Sequence, residues 1–145
     1  MKENKKIWLA SPHMGGGELR FVKETFAANW IAPVGPHINN FEEQLSKISN
    51  GYKVAALSSG TASIHLALIL AGVKANDDVI CSSFTFSASA NPIKYLGANP
   101  VFIDSESLSW NMCPELLEKS IVEGIEKNKK PKAIILVHLY GMPAK

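Results

Sequence analysis

The sequence predicts an α/β fold built on a parallel sheet. Two observations carry that reading. From Lys53 onward, short apolar runs of strand character alternate with helical stretches. The runs are apolar at consecutive positions, as in strands covered on both faces by helices, rather than at every second position.

Ahead of that region, Leu19, Val22, Phe26 and Trp30 recur every three or four residues and predict a helix over 18–29. The turn-rich run Ala32-Pro33-Val34-Gly35-Pro36 breaks it. A second helix is expected over 41–48, capped by Asn39 or Asn40, with Glu42 and Glu43 near its positive end. Val54-Ala55-Ala56-Leu57 then reads as a short buried strand, and Ser58-Ser59-Gly60-Thr61 leads into an almost wholly apolar helix over 62–71, stopped at Gly72. The cycle repeats as a strand over 78–81, a helix over 87–96 and a strand over 100–103. Pro114 opens a helix to about Lys127, where its missing N–H costs nothing, and 133–137 closes as a buried strand. The organisation expected is therefore a helical segment over 1–50 and the first part of an α/β domain over 51–145. A doubly wound sheet ordinarily continues with another helix, so the chain reads as stopping in mid-domain.

Composition narrows the function. The 145 residues are 46% apolar and 19% charged, enough for a sizeable core and against disorder. The net charge is +2, and Arg20 is the single arginine, which disfavours nucleic acid as a partner. The charged start has no apolar run behind it, and the longest apolar stretches are far too short to span a bilayer. Cys81 and Cys113 lack any CxxC or metal-ligand spacing, and two free thiols in a reducing cytoplasm is the reading adopted.

Two glycine turns compete as phosphate cradles. Gly15-Gly16-Gly17 precedes a helix but matches neither GxGxxG, since Arg20 takes the third glycine's place, nor GxxxxGK[ST]. A flexible helix entry is the better account. The missing GxGxxG also counts against a nicotinamide-binding domain. Ser58-Ser59-Gly60-Thr61-Ala62-Ser63 follows a strand and opens a helix, so free N–H groups and the positive dipole end converge there; plain capping by Ser59 or Thr61 is compatible with an anion site. The Ser82–Ser87 loop would lie alongside, at the carboxyl end of the next strand, where Phe84 or Phe86 would stack on a flat ring if exposed and pack in the core if not. His13, His37, His65 and His138 show no metal-like spacing, and no catalytic Ser/His/Asp order or carboxylate pair stands out.

These residues carry a resemblance. Ser59-Gly60-Thr61-Ala62-Ser63-Ile64-His65-Leu66-Ala67-Leu68, then Phe84-Thr85-Phe86-Ser87-Ala88, Pro100-Val101-Phe102-Ile103-Asp104 and Val137-His138-Leu139-Tyr140-Gly141 resemble the successive signatures of the DegT/DnrJ/StrS sugar aminotransferases. Ser11-Pro12-His13-Met14-Gly15-Gly16 with Asn29-Trp30-Ile31-Ala32-Pro33-Val34-Gly35 is similar to the branch that makes the 4-amino sugar of the bacillosamine pathway. The resemblance runs over essentially the whole chain. It implies the large domain of the type I aminotransferase fold, truncated, and pyridoxal phosphate as cofactor, present as pyridoxamine phosphate during turnover. It implies that Gly60, Thr61 and Ala62 hold the cofactor phosphate and that Phe86 stacks on the pyridine ring. Asn29, Trp30, Ile31 and Ala32 would contact the nucleotide-sugar, and the 1–50 segment would supply subunit contacts of a homodimer.

The activity implied is transfer of an amino group from glutamate to a UDP-linked 4-keto-6-deoxy sugar. A family dehydratase that keeps the amino cofactor, and a truncated chain acting only in binding or assembly, are the alternatives. Gly60 departs from relatives with Ala there, and Cys113 stands where the family often has Asp. The aspartate that meets the pyridinium nitrogen and the lysine that binds the cofactor both fall beyond the family's equivalent of Lys145. No catalytic residue of the family is therefore expected in this chain, which alone should not transaminate.

Overall fold

The structure, a computed structural model, describes residues 6, 8, 9 and 11–145; most of the charged start lies outside them. The chain divides into two compact units, one ending at Ala56 and one running from Leu57 to Lys145.

The first unit holds α1 (Glu18–Ala27) and α2 (Pro36–Ile48). Helix α1 ends two residues short of expectation, and Asn29 leaves it in the left-handed region with φ 56°. Helix α2 begins five residues earlier than expected. Pro36 supplies the first turn and Gly35 the cap, so Asn39 and Asn40 lie inside the helix and cap nothing. Glu42 and Glu43 are displaced from the helix start accordingly, and the Glu42 carboxylate instead accepts the N–H of Ala56 at 2.7 Å. The expected strand at 54–57 does not form. No segment among the described residues pairs with it, and a lone extended run has no ladder to satisfy its backbone.

The second unit is the predicted α/β core. Helix α3 (Gly60–Leu70) leads to β1 (Asp78–Ser82), α4 (Asn91–Tyr95), β2 (Asn99–Ile103), α5 (Pro114–Glu126) and β3 (Ala133–Ile135). The three strands are parallel in the order β2-β1-β3. Residues alternate across the central strand. Val79 and Cys81 pack with Leu68, Ile93 and Ala98 under α3 and α4, while Ile80 packs with Ile103 and Met112 against α5. Helices therefore cover both faces, as consecutive apolar positions predict.

Two expectations are corrected here. The helix over 87–96 is a 3-10 turn at Ser87–Ser89 followed by the short α4, because Pro92 has no N–H to donate to the preceding turn and its ring crowds the carbonyl there. The last strand is shorter than 133–137 and is not buried throughout: Ile134 and Leu136 are each 46% exposed.

Candidate active site

A cleft of about 690 Å3 opens at the carboxyl ends of β1 and β3. Its floor is the start of α3. Ser59 caps that helix in an extended conformation, and its Oγ accepts the N–H of Ala62 at 3.2 Å. The N–H of Ser63 bonds to the Ser59 carbonyl at 3.1 Å. Gly60 and Thr61 line the cleft, and their N–H groups have no partner among the described residues. A Cβ on Gly60 would meet no atom within 4 Å, so the backbone there is open to an approaching group. Of the three residues expected at the phosphate, two offer open donors, and the third has its N–H occupied by the cap.

One wall is the loop after β1. The Thr85 and Ser89 hydroxyls are 2.8 Å apart, and the N–H of Ser89 bonds to the Phe86 carbonyl at 2.9 Å, which fixes the backbone under Phe86. The Phe86 ring stands free, 80% exposed, and lines the cleft. Phe84 also lines it, 45% exposed, with its ring edge-on to Trp110 at 6.0 Å between centroids. The alternative in which both phenylalanines lie in the core is thus excluded. The opposite wall is Val137, Leu139 and Tyr140, the last with a left-handed backbone (φ 49°).

No lysine, aspartate or glutamate lines this cleft. Two open N–H donors at a helix start, an unobstructed glycine and a free aromatic ring suit a phosphorylated flat heterocycle, and no carboxylate opposes the phosphate. The donor set fits pyridoxal phosphate.

The rival glycine turn is closed by its own chain. The N–H groups of Gly15 and Gly16 both donate to the Glu18 carboxylate, which together with Glu18's own N–H holds that carboxyl below its ordinary range. Those two donors are spent, so the Gly15-Gly16 turn offers no open pair of N–H groups to a phosphate.

Asn29, Trp30, Ile31 and Ala32 belong to the first unit. The N–H of Trp30 returns to the Thr25 carbonyl at 3.1 Å, and a Cβ on Gly35, whose φ is 147°, would lie 3.3 Å from the Trp30 ring. The loop is thus a folded turn with Trp30 seated on Gly35. Ile31 and Trp30 remain substantially exposed. Among the described residues no cluster of three His, Cys, Asp or Glu could hold a metal, and no helix is long and apolar enough to cross a membrane. Cys81 and Cys113 are both free, and burial pushes the Cys81 thiol up.

Sequence reasoning missed the tie between the loop after β2 and the wall that follows β3. Asn111, on the loop after β2, is buried and bonds to Leu139 and Met142 across the turn after β3. No residue pattern signals it, since its partners are backbone groups brought near only by the sheet.

A helix start with open N–H donors beside a free aromatic ring, at the carboxyl ends of parallel strands, is the arrangement of a ligand-binding α/β domain. The chain belongs to the DegT/DnrJ/EryC1/StrS aminotransferase family, whose profile matches residues 12–145. It is 54% identical over 142 residues to the pyridoxal phosphate-dependent aminotransferase EpsN of Bacillus subtilis, covering 98% of this chain and 37% of that one. It is 37% identical to a GDP-perosamine synthase of Escherichia coli O157:H7, covering 96% of this chain and 36% of the relative. Among solved structures, the pyridoxamine phosphate form of the sugar aminotransferase Spr1654 of Streptococcus pneumoniae superposes with a TM-score of 0.80 at 31% identity, over 96% of this chain and 33% of that one. The chain thus spans about a third of the length of these relatives. The type I aminotransferase fold expected from the resemblance is shown for this portion.

Proposed function

We propose that this chain is the cofactor-phosphate portion of a pyridoxal phosphate-dependent sugar aminotransferase, one that moves an amino group from glutamate to a UDP-linked 4-keto-6-deoxy sugar in glycan biosynthesis. The observation that carries the reading is the pairing of open N–H donors at Gly60 and Thr61 with the free Phe86 ring in one cleft. When bound, the cofactor supplies the electron sink that lets an amino group leave one carbon and join another.

The chain's own residues do the holding. The N–H groups of Gly60 and Thr61 would donate to the phosphate at the positive end of α3. The Ser59 hydroxyl, at the same helix start, would add a donor. Phe86 would cover one face of the pyridine ring and exclude water from it. Asn29, Trp30, Ile31 and Ala32 are assigned to the nucleotide-sugar, with the exposed faces of Trp30 and Ile31 as the contacts. The intact protein is a cytoplasmic homodimer in this reading, without nucleic-acid or membrane partners. Chemistry at the cofactor belongs to residues outside this chain, so the 145-residue chain alone is inactive.

Full-length protein supplied with glutamate and either a UDP-linked or a GDP-linked 4-keto-6-deoxy sugar tests this. The expected result is 2-oxoglutarate and an aminated sugar nucleotide with the UDP substrate. Preference for the GDP substrate would reassign the nucleotide, and turnover of neither would remove the sugar assignment.

A further inference from the structure

The loop joining β2 to α5 is fastened to the turn after β3 by one side chain. Asn111 is 2% exposed. Its Nδ2 donates to the Met142 carbonyl at 3.0 Å and to Ser109 Oγ at 3.0 Å, and its Oδ1 accepts the N–H of Leu139 at 2.9 Å. Both amide hydrogens are used.

The direction of that amide is set one step further back. The Glu106 carboxylate is an acceptor only, and it takes the Ser109 hydroxyl hydrogen as well as the N–H groups of Leu108 and Ser109. Ser109 Oγ therefore presents lone pairs to Asn111 and must accept. A reversed Asn111 amide would set Oδ1 against two acceptors, Ser109 Oγ and the Met142 carbonyl, and its NH2 against the Leu139 N–H. One orientation alone satisfies every partner. The loop that carries this relay is itself pinned, with Ser105 bridged to Met112 and the Glu106 N–H bonded to the Asn111 carbonyl at 2.9 Å.

What Asn111 grips is the cleft wall. Leu139 and Tyr140 line the cleft opposite Phe86, and Tyr140 is held in a left-handed conformation that a tyrosine does not adopt unaided. We propose that Asn111 is a positioning residue for the cofactor: through the relay Glu106–Ser109–Asn111 it holds the Leu139–Tyr140 wall in the conformation that accepts the pyridine ring. The proposal rests on reading this cleft as the cofactor site.

The test uses full-length protein and pyridoxamine phosphate, which binds without a covalent bond to the protein. Asn111→Asp keeps the shape but turns two donors into acceptors. It should weaken pyridoxamine phosphate about tenfold and, by setting its new oxygen against the Met142 carbonyl, also lower the melting temperature of the cofactor-free protein. Ser109→Ala should weaken it several-fold, and Ser109→Thr, which keeps the hydroxyl, should bind as wild type. In the cofactor-free protein, amide exchange at Leu139 should accelerate in Ser109→Ala but not in Ser109→Thr, with β1 amides unchanged. Equal affinity in wild type and Ser109→Ala, with unchanged exchange at Leu139, would overturn the proposal even if Asn111→Asp failed to fold. Loss of affinity in Ser109→Thr as large as in Ser109→Ala would also overturn it. Failure of wild type to bind pyridoxamine phosphate would overturn the cofactor reading, whereas the exchange measurement would still report on the relay.

Discussion

The Ser59 hydroxyl accepts the N–H of Ala62 at 3.2 Å, and that single bond decides which donors of the first turn of α3 stay open. An N-cap serine replaced by alanine costs about 0.5–2 kcal/mol, and by glycine only a few tenths. Ser59→Ala is therefore expected to lower stability by about 1 kcal/mol in a urea melt. Ser59→Gly should lower it far less, yet lose the same hydroxyl donor. Pyridoxamine phosphate titration should then show both variants weakened alike. If Ser59→Gly binds as wild type, the hydroxyl makes no contact with the phosphate.

The two phenylalanines of the cleft should separate by readout. Phe86 is 80% exposed, so Phe86→Ala removes stacking without opening the core, and cofactor affinity falls by the worth of one ring contact, about 0.5–1.5 kcal/mol, at unchanged stability. Phe84 is about half buried against Trp110, and Phe84→Ala should cost about 1–2 kcal/mol of stability, well short of the roughly 3–5 kcal/mol of a core phenylalanine. Cofactor titration beside a denaturant melt measures both. Equal affinity losses at equal stability would show that the stacking residue is not Phe86.

Much of this was legible in the sequence; two misses were local, the early start of α2 at Pro36 and the break at Pro92, and the others share a cause. The α3 entry could be read because Ser59, Gly60 and Thr61 act locally: cap, free donors and dipole all lie within four residues. The helices on both sides of β1 followed from Val79-Ile80-Cys81 being apolar at successive positions. What depended on distant partners was not readable. Residues 54–57 have strand composition, but composition cannot supply a neighbour with a free edge. Asn111 looked like any loop asparagine until the sheet brought Leu139 and Met142 within reach. The left-handed backbones at Trp110 and Tyr140 have no residue signature, since neither is glycine or asparagine.

Glu106 should titrate far below an ordinary glutamate. The Ser109 hydroxyl, with the N–H groups of Leu108 and Ser109 and the more distant Lys145, stabilises its charged form and holds it at about 2 against an ordinary 4.5. A folded-state value below the unfolded one means that the contribution to stability is complete above about pH 4.5. It is lost as pH falls through about 2. The stability difference between wild type and Glu106→Gln should be constant from neutral pH to about 5 and shrink below that. Carboxyl carbon chemical shifts would follow the midpoint directly. Ser109→Ala, which removes the largest cause, should move that midpoint upward.

Gly35 combines a backbone that side chains rarely adopt with a crowded neighbour. Its φ of 147° is outside what side-chain-bearing residues favour, and an added Cβ would stand 3.3 Å from the Trp30 ring. Gly35→Ala should therefore cost about 1–3 kcal/mol and shift Trp30. If Asn29–Ala32 hold the nucleotide-sugar, KM for that substrate rises while pyridoxamine phosphate affinity is unchanged. An unchanged KM would place Trp30 outside the substrate's contacts.

No lysine lines the cleft, so incubation of this chain with pyridoxal phosphate and reduction with borohydride should yield scattered labelling and no single stoichiometric site. Peptide mapping would locate any exception. Lys94, the lysine nearest in sequence to the Phe86 loop, is exposed in the last turn of α4 and should behave like other surface lysines. Quantitative modification of one lysine would mean that the chain carries a cofactor-binding amine of its own.

The 145-residue chain by itself should self-associate. Among the described residues strand β3 pairs on one side only, with β1, and Ile134 and Leu136 on it and just beyond it are each 46% exposed. Within the first unit Leu19, Phe26 and Ile48 are each more than 60% exposed, and α1 and α2 bound an apolar groove of about 520 Å3. Soluble monomers rarely keep contiguous apolar patches beyond a few hundred Å2, and an unpaired strand edge offers backbone donors and acceptors to another copy. At about 25 cal/mol per Å2, burying one such patch between copies is worth several kcal/mol, comparable with a whole domain's net stability of about 5–15 kcal/mol. Burial of these surfaces between copies therefore favours association. Light scattering should show species larger than 15.8 kDa, and the urea midpoint should rise with protein concentration. A concentration-independent, two-state melt from a strictly monomeric species would show that these surfaces do not need a partner.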